Sequence, residues 1–391
     1  MSIQKKSSSL EIEEREGFCF LAGVICFVGF LLGIETGGLQ FVLLKIAREF
    51  GLSQMSMGSL MSVQFIAVTA APLLVGALSD RIGKKIVIIV GCLIFALSAA
   101  LCICAETVVL LQIGICGIGV AFGSLEATIT GALSDSYPGN SGKYLTVMQG
   151  FLSLGAVLGP VFVNFTMIHW GAGWRMLFWL CAICALLAGI LCCWGTFKTV
   201  EPEKTESGSF KIIDRVLIGA MVLIFLYLFV ENGVTCFMDT FFATILDEPG
   251  YSAAALSAFW AAMAISRMVT SLFYDRRNIL IPVMCLAAAV LLIGLKVTNS
   301  PSAAFLVFGA VGLCYGPLSP FLINIAVQRN PKKSGTVAGF MLAASGLGGA
   351  ASPVVAGCMA DFAGLRAAYC FIGLMVLVEM GCYLKFMCIK K

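Results

Sequence analysis

Long apolar stretches separated by short polar ones dominate the chain. Twelve runs, near 17–46, 55–79, 84–104, 107–134, 143–167, 174–196, 213–246, 252–274, 279–298, 302–327, 335–360 and 367–388, each supply the roughly 20 mostly apolar residues that a helix needs to cross a bilayer. Ten-residue segments with alternating apolar and polar positions, the signature of a membrane barrel, are absent from the sequence. In hydrocarbon the backbone must satisfy its own polar groups, and outside a barrel only helices do so. The pattern predicts an all-α membrane protein of about twelve transmembrane helices.

Composition sharpens this. Of 391 residues, 60% are hydrophobic and 12% charged, against about 25% charged in soluble domains. That excludes an ordinary soluble enzyme, a nucleic-acid binder and a disordered chain. An even number of spans puts both termini on one side. Segments on that side then hold 19 of the 25 lysines and arginines, from Lys5 and Lys6 through Arg81, Lys84 and Lys85 to Lys390 and Lys391. The opposite side holds Lys45, Arg48, Arg175, Lys296 and Arg366, and Arg267 lies within a span. This bias predicts a multi-pass protein of the cell membrane with both termini in the cytoplasm. The net charge of +4 is therefore a topology signal. Residues 1–16 are polar and no cleavage signature follows, so no removable signal peptide is expected. The 17 cysteines fall in or at the ends of spans, and pairs such as Cys192/Cys193 are too close for zinc or disulfide spacings. They read as small packing residues. With no paired nucleophile and base and no metal-ligand cluster in the sequence, neither an enzyme nor a cofactor is expected.

One polar stretch, Lys198 to Lys211, divides the chain. The predicted organisation is a cytoplasmic segment over 1–16, a six-helix bundle over 17–196, a cytoplasmic linker over 197–212 and a second six-helix bundle over 213–391. The halves match at nearly constant offsets. Asp80-Arg81 recurs as Asp275-Arg276, 195 positions on; Pro138 with Ser141-Gly142 recurs as Pro331 with Ser334-Gly335, 193 on. Gly155 with Gly159-Pro160 recurs as Gly348 with Ser352-Pro353, and Glu35 has a counterpart in Glu231, 196 on. Duplicated six-span halves related by an axis along the membrane normal characterise one large transporter class.

The run Gly76-Ala77-Leu78-Ser79-Asp80-Arg81-Ile82-Gly83-Lys84-Lys85 resembles the signature G-x-L-x-D-R-x-G-R-K/R of the major facilitator superfamily, which lies between its second and third helices. The resemblance covers the whole chain and implies the fold of that family, with alternating access to a central site. A narrower likeness joins Gly123-Ser124-Leu125-Glu126, Tyr137-Pro138, Gln149-Gly150, Gly159-Pro160, Phe259-Trp260 and Ser266-Arg267 to the fucose/glucose symporter branch. Phe237 stands where that branch usually carries tryptophan. The likeness implies that acidic residues of the first and fourth helices, here Glu35 and Glu126, serve proton and solute. Exporters of the superfamily often carry an arginine in the fourth span and a double glycine after the fifth-span proline. Gln112 and Val163-Asn164 occupy those regions here.

Ionisable residues inside the apolar runs carry the chemistry. An ionised side chain at the bilayer centre costs about 2.5–3.5 kcal/mol on insertion scales, so such residues face protein or a wet cavity. Glu126 is the first candidate for proton carrier, followed by Glu35 and Glu231. Amide side chains suit hydroxyl-bearing solutes because they donate and accept; Gln149 and Asn232 join the candidate binding set, and Trp260 is a candidate stacking surface. Arg267 is read as a structural or gating partner of a carboxylate. Asp80, Arg81, Gly76 and Gly83 form the candidate gate: glycine permits sharp turning, and a carboxylate can sit on a neighbouring helix N-terminus.

These residues predict a proton-coupled secondary transporter that takes up a small polar solute, a monosaccharide by preference. The alternative is proton-coupled export of a drug or metabolite. The expected partners are the solute, a proton or Na⁺, and the bilayer; nucleic acid is not among them, and a monomer is expected.

Overall fold

The computed structural model describes residues 2–136, 141–194, 215–271, 277–329 and 334–388. They are helical nearly throughout. Six helices come first: α1 (Ser2–Phe50), α2 (Gln54–Ile82), α3 (Lys84–Ile103), α4 (Val108–Ser136), α5 (Ser141–Trp170) and α6 (Arg175–Trp194). In the second half α7 runs Arg215–Cys236 and continues through Met238–Thr240 into a π-turn at Phe241–Ile245. It is followed by α8 (Ser252–Ser271), α9 (Arg277–Gly294), α10 in two pieces (Pro301–Tyr315 and Leu318–Arg329), α11 (Ser334–Ala363) and α12 (Leu365–Tyr383). Eleven of these helices contain apolar segments long enough to span a membrane; the twelfth, Asn278–Gly294, is apolar but shorter. The linker expected over 197–212 lies outside the described residues.

Packing follows the duplication. In the first half α1 packs on α5, α2 on α4, and α3 on α4 and α6; in the second α7 packs on α11, α9 on α12, and α8 on α10. This is the two-bundle, all-α membrane fold expected from the apolar runs. For brevity the side bearing both chain ends is the terminus side, and the opposite one the far side.

The expected loop between the second and third spans is almost entirely helix. α2 runs through Asp80 and Arg81 to Ile82, and α3 begins at Lys84. The whole turn is Gly83, at φ +92°, a conformation that glycine adopts without steric cost. Its N–H closes α2 on the Ser79 carbonyl at 3.1 Å.

Prolines shape the second half at α10. A proline at position i leaves the carbonyl of residue i−4 without its helical donor. Pro317 thus frees Leu313, and Pro320 frees Gly316. Adjacent residues of α8 supply both missing donors: the Ser266 hydroxyl bonds the Leu313 carbonyl, and Arg267 Nε bonds the Gly316 carbonyl at 3.1 Å. The bend in α10 is therefore held by side chains of its neighbour, and Arg267 has a structural task before any other.

The two bundles meet along α2 and α11. Ser62 Oγ reaches the Ala350 carbonyl at 2.5 Å. Gly58, Gly346, Gly349 and Gly357 line this seam, and a Cβ at Gly58 would sit on the Pro353 carbonyl. Small residues let membrane helices approach this closely. The seam runs from the far end to mid-membrane.

Two measurements test these assignments. Ser266→Ala leaves the Leu313 carbonyl without a donor, at a cost of about 1–3 kcal/mol, and lowers the melting temperature in detergent; adding Pro317→Leu, which frees the backbone N–H to close the helix, restores part of it. Gly58→Leu overpacks the seam by about 1–3 kcal/mol and widens the separation between fluorophores attached through non-cysteine chemistry to the far ends of α2 and α11.

Candidate functional site

The carboxyl groups predicted to carry the chemistry occupy different environments. Glu35 is fully buried on α1. Its Oε1 accepts a hydrogen bond from Gln64 Nε2 of α2 at 2.7 Å, while Oε2 has no hydrogen-bond partner among the described residues. The thiols of Cys102 on α3 and Cys181 on α6 are its electrostatic neighbours. Glu35 thus points into the core of the first bundle.

Glu126 differs. It is half-buried, and no hydrogen bond or ion pair to it is found among the described residues. The most exposed stripe of α4 contains Val109, Ile113 and Val120. At 100° per residue, Glu126 lies about 120° round the helix from Val120. Its exposure is therefore not toward the face that meets lipid.

Gln149 belongs with it. The lipid-facing stripe of α5 comprises Val147, Phe151, Leu154, Leu158, Val161 and Phe165, all more than 40% exposed. Gln149 is exposed too, yet lies about 160° from Val147. Thr146 and Gly150 are likewise exposed. They share a helix face, to within about 20°, with Val157, whose carbonyl accepts the Ser257 hydroxyl of α8 at 2.7 Å. One face of α5 touches the second bundle in its far half and is accessible nearer the terminus side, so the space between the bundles opens toward that side. Gln149 and Glu126 lie about 12 Å and about 15 Å in from the terminus-side ends of their helices, at similar depth in that opening.

The other predicted binding residues are enclosed. Glu231 is 7% and Asn232 2% exposed on α7. The Asn232 amide donates to the Leu228 carbonyl of its own helix at 3.1 Å. Glu231 Oε2 stands 3.9 Å from Arg267 Nη2. Trp260, expected as a stacking surface, is buried with Nε1 donating to Gln40 Oε1 at 3.1 Å. This bond ties α8 to α1 across the bundles. Of the gate residues, Gly83 makes the turn described above; the surroundings of Gly76 and the side chains of Asp80 and Arg81 lie outside what the structure describes. Nearby, Lys84 pairs with Asp135 within the first bundle.

Sequence reasoning missed the contacts that close the far side. Lys45 Nζ of α1 meets Asp239 Oδ2 of α7 at 2.8 Å, with Asp239 only 3% exposed. The ammonium also donates to the Phe41 carbonyl at 3.0 Å and lies 3.6 Å from the Phe41 ring centroid. Asp361, at the end of α11, accepts the backbone N–H groups of Gln54 and Met55 at 3.0 and 2.9 Å. It thereby caps the N-terminus of α2, where unpaired N–H groups and the helix dipole favour an anion. One signal was available for the ion pair: Lys45 and Asp239 are 194 residues apart, the offset at which the halves repeat, and they carry opposite charge.

Known proteins place this geometry in context. The solved structures with similar folds include a bacterial homologue of the human lysosomal transporter Spinster in an inward-facing, occupied conformation, with TM-score 0.79 and 15% identity, covering 94% of this chain and 96% of that one. The fucose:proton symporter FucP of Escherichia coli has TM-score 0.66 and 16% identity, over 94% of this chain and 98% of that one. These likenesses concern the fold. By sequence, the multidrug resistance protein MdtL of Escherichia coli O157:H7 is 25% identical over 286 residues, covering 70% of this chain and 71% of that protein. The sequence model of the Major Facilitator Superfamily matches residues 25–353 and 274–387. With its duplicated bundles and more than half its length inside that match, the chain is a member of the Major Facilitator Superfamily, a multi-pass membrane transporter and not an enzyme.

Proposed function

We propose that this transporter exchanges protons for a small organic solute, expelling the solute as protons enter. The observation that carries the reading is Glu126: a half-buried carboxyl with no partner among the described residues, turned away from lipid. A lone carboxylate in an apolar setting attracts one positive charge at a time, and a proton satisfies it as well as a cationic solute does. Competition for one group is the simplest way to enforce exchange. Gln149, at similar depth, adds an amide that orients the solute by donating and accepting. The names of the sequence relatives, multidrug resistance proteins, agree with export.

A second reading has its own observation. An accessible amide and an accessible carboxyl at matched depth also suit the hydroxyls of a monosaccharide, with Glu126 protonated while the sugar is bound. Proton and sugar then travel together, as symport. The two readings differ in the direction of solute movement under a pH gradient.

The surrounding assignments follow from the sequence. The excess of lysine and arginine on the terminus side supports cytoplasmic termini. Asp80 and Arg81, with Gly76 and Gly83, are proposed to close the terminus side when the far side opens. Asp361, with the Lys45–Asp239 pair, holds the far side shut in the conformation described. The transporter works as a monomer, and the coupling ion is H⁺ rather than Na⁺.

In proteoliposomes with imposed pH gradients, cationic dyes and monosaccharides are tested in both directions. Glu126→Gln reduces gradient-driven flux at least tenfold while protein yield is kept; full uphill transport in that variant removes Glu126 from the mechanism. Asp361→Asn weakens the cap on α2 by about 1 kcal/mol, shifting the population toward far-side opening roughly fivefold, read by the same far-end fluorophores on α2 and α11.

A further inference from the structure

The second bundle contains a connected set of buried ionisable groups that the exchange at Glu126 leaves unused. Glu379 of α12 is 1% exposed. Its Oε2 accepts a hydrogen bond from the Tyr315 hydroxyl of α10, and its Oε1 is buried without a hydrogen-bond partner among the described residues. The Tyr315 ring stacks on that of Tyr227 of α7, centroids 5.5 Å apart and planes 14° from parallel. The Tyr227 hydroxyl accepts a hydrogen bond from Arg267 Nη2 at 3.1 Å, and the same nitrogen stands 3.9 Å from Glu231 Oε2. From α9 the thiol of Cys285 faces Glu379, with Cys314 of α10 beside that thiol.

Charge balance across this set is uneven. It holds two carboxyls, Glu231 and Glu379, and one cation, Arg267. Arg267 stands beside Glu231. An ionised Glu379 would then be a buried anion whose only support among the described residues is a tyrosine hydroxyl, and such a group is strongly disfavoured. The remedy is a proton on Glu379.

Geometry connects that proton to movement. Tyr315 is the last residue of the first piece of α10, just ahead of the Gly316-Pro317 bend. Arg267 Nε holds that bend through the Gly316 carbonyl. A change in the bend therefore displaces the Tyr315 hydroxyl from Glu379 and Arg267 from Glu231 together. The four helices involved, α7, α8, α10 and α12, belong to one bundle.

We infer that Glu379 is a second proton-carrying residue of the transport cycle, coupled through Tyr315 and Tyr227 to the Arg267–Glu231 pair. The proton leaves the Glu379 carboxyl for water entering the second bundle as the bend in α10 changes, and Arg267, already bonded to Tyr227, shares its charge between Glu231 and the tyrosine side of the set. On the opposite face of the membrane a proton from water reloads the carboxylate. The stoichiometric part of this inference rests on the exchange reading; the protonation of Glu379 does not.

Infrared difference spectroscopy of the full-length protein in lipid nanodiscs, at neutral pH and without solute, tests the proton directly. Glu379→Gln removes one protonated-carboxyl C=O band, and Tyr315→Phe, which keeps the carboxyl and deletes its donor, shifts that band. A Glu379→Gln spectrum that instead loses carboxylate bands, with the acid band intact, overturns the inference. In proteoliposomes Glu379→Gln halves the protons moved per solute; an unchanged ratio, with the acid band assigned to Glu379, makes the proton a static one and also overturns it. Where the wild type moves no solute under any gradient, the exchange reading fails, and the infrared result still decides Glu379.

Discussion

No water reaches the middle of a bilayer to rescue an unpaired polar group, and the organisation of this protein follows from that. Each backbone carbonyl freed by Pro317 and Pro320 has a named donor, Ser266 or Arg267. Asp239 has Lys45, Glu231 has Arg267, and Trp260 has Gln40. What separates the acids is the cation: Asp239 and Glu231 each keep one oxygen unbonded but stand beside Lys45 and Arg267, whereas among the described residues Glu126, Glu35 and Glu379 have no ion pair.

Closure on one side sets where that room lies. The named contacts between bundles fall in the far half: α1 with α7, α2 with α11, and α8 with α1 and α5. They combine a desolvated ion pair, a capped helix end and a glycine-lined seam. Singly these are of modest net strength, since the attraction of a desolvated pair is offset by the cost of taking both charges out of water and a cap contributes about 1 kcal/mol. Such values suit a machine that has to break them every cycle. A seam built from a large apolar interface would hold one state too firmly for turnover.

Much of the architecture was legible in the sequence because lipid imposes length and hydropathy on each span. The signature at Gly76–Lys85 and the offset near 194 gave the duplicated halves. Single side chains were harder to place. Glu126 and Glu35 look alike as acids in apolar runs, yet one is accessible and the other is enclosed by Gln64 and two thiols. The difference depends on which face of a helix meets which neighbour, and the apolar runs are too uniformly hydrophobic to mark their faces. For that reason nothing in the apolar runs marks Trp260 and Asn232, expected to face the solute, as the enclosed residues they are in this conformation. Asp361 carries no local mark in the sequence, because only the tertiary arrangement brings the start of α2 against it. Tyr315 and Glu379, 64 residues apart, lie on helices whose adjacency no local pattern announces.

The bend of α10 has an evolutionary consequence. Because two prolines on one helix draw their substitutes from consecutive residues on another, these four positions form a set whose members cannot drift independently. A relative that replaced Pro317 would release Ser266 to become any small residue, while one that replaced Pro320 would leave Arg267 answerable only to Glu231 and Tyr227. Within such a lineage, the identity at the proline sites would foretell which duty the arginine still performs.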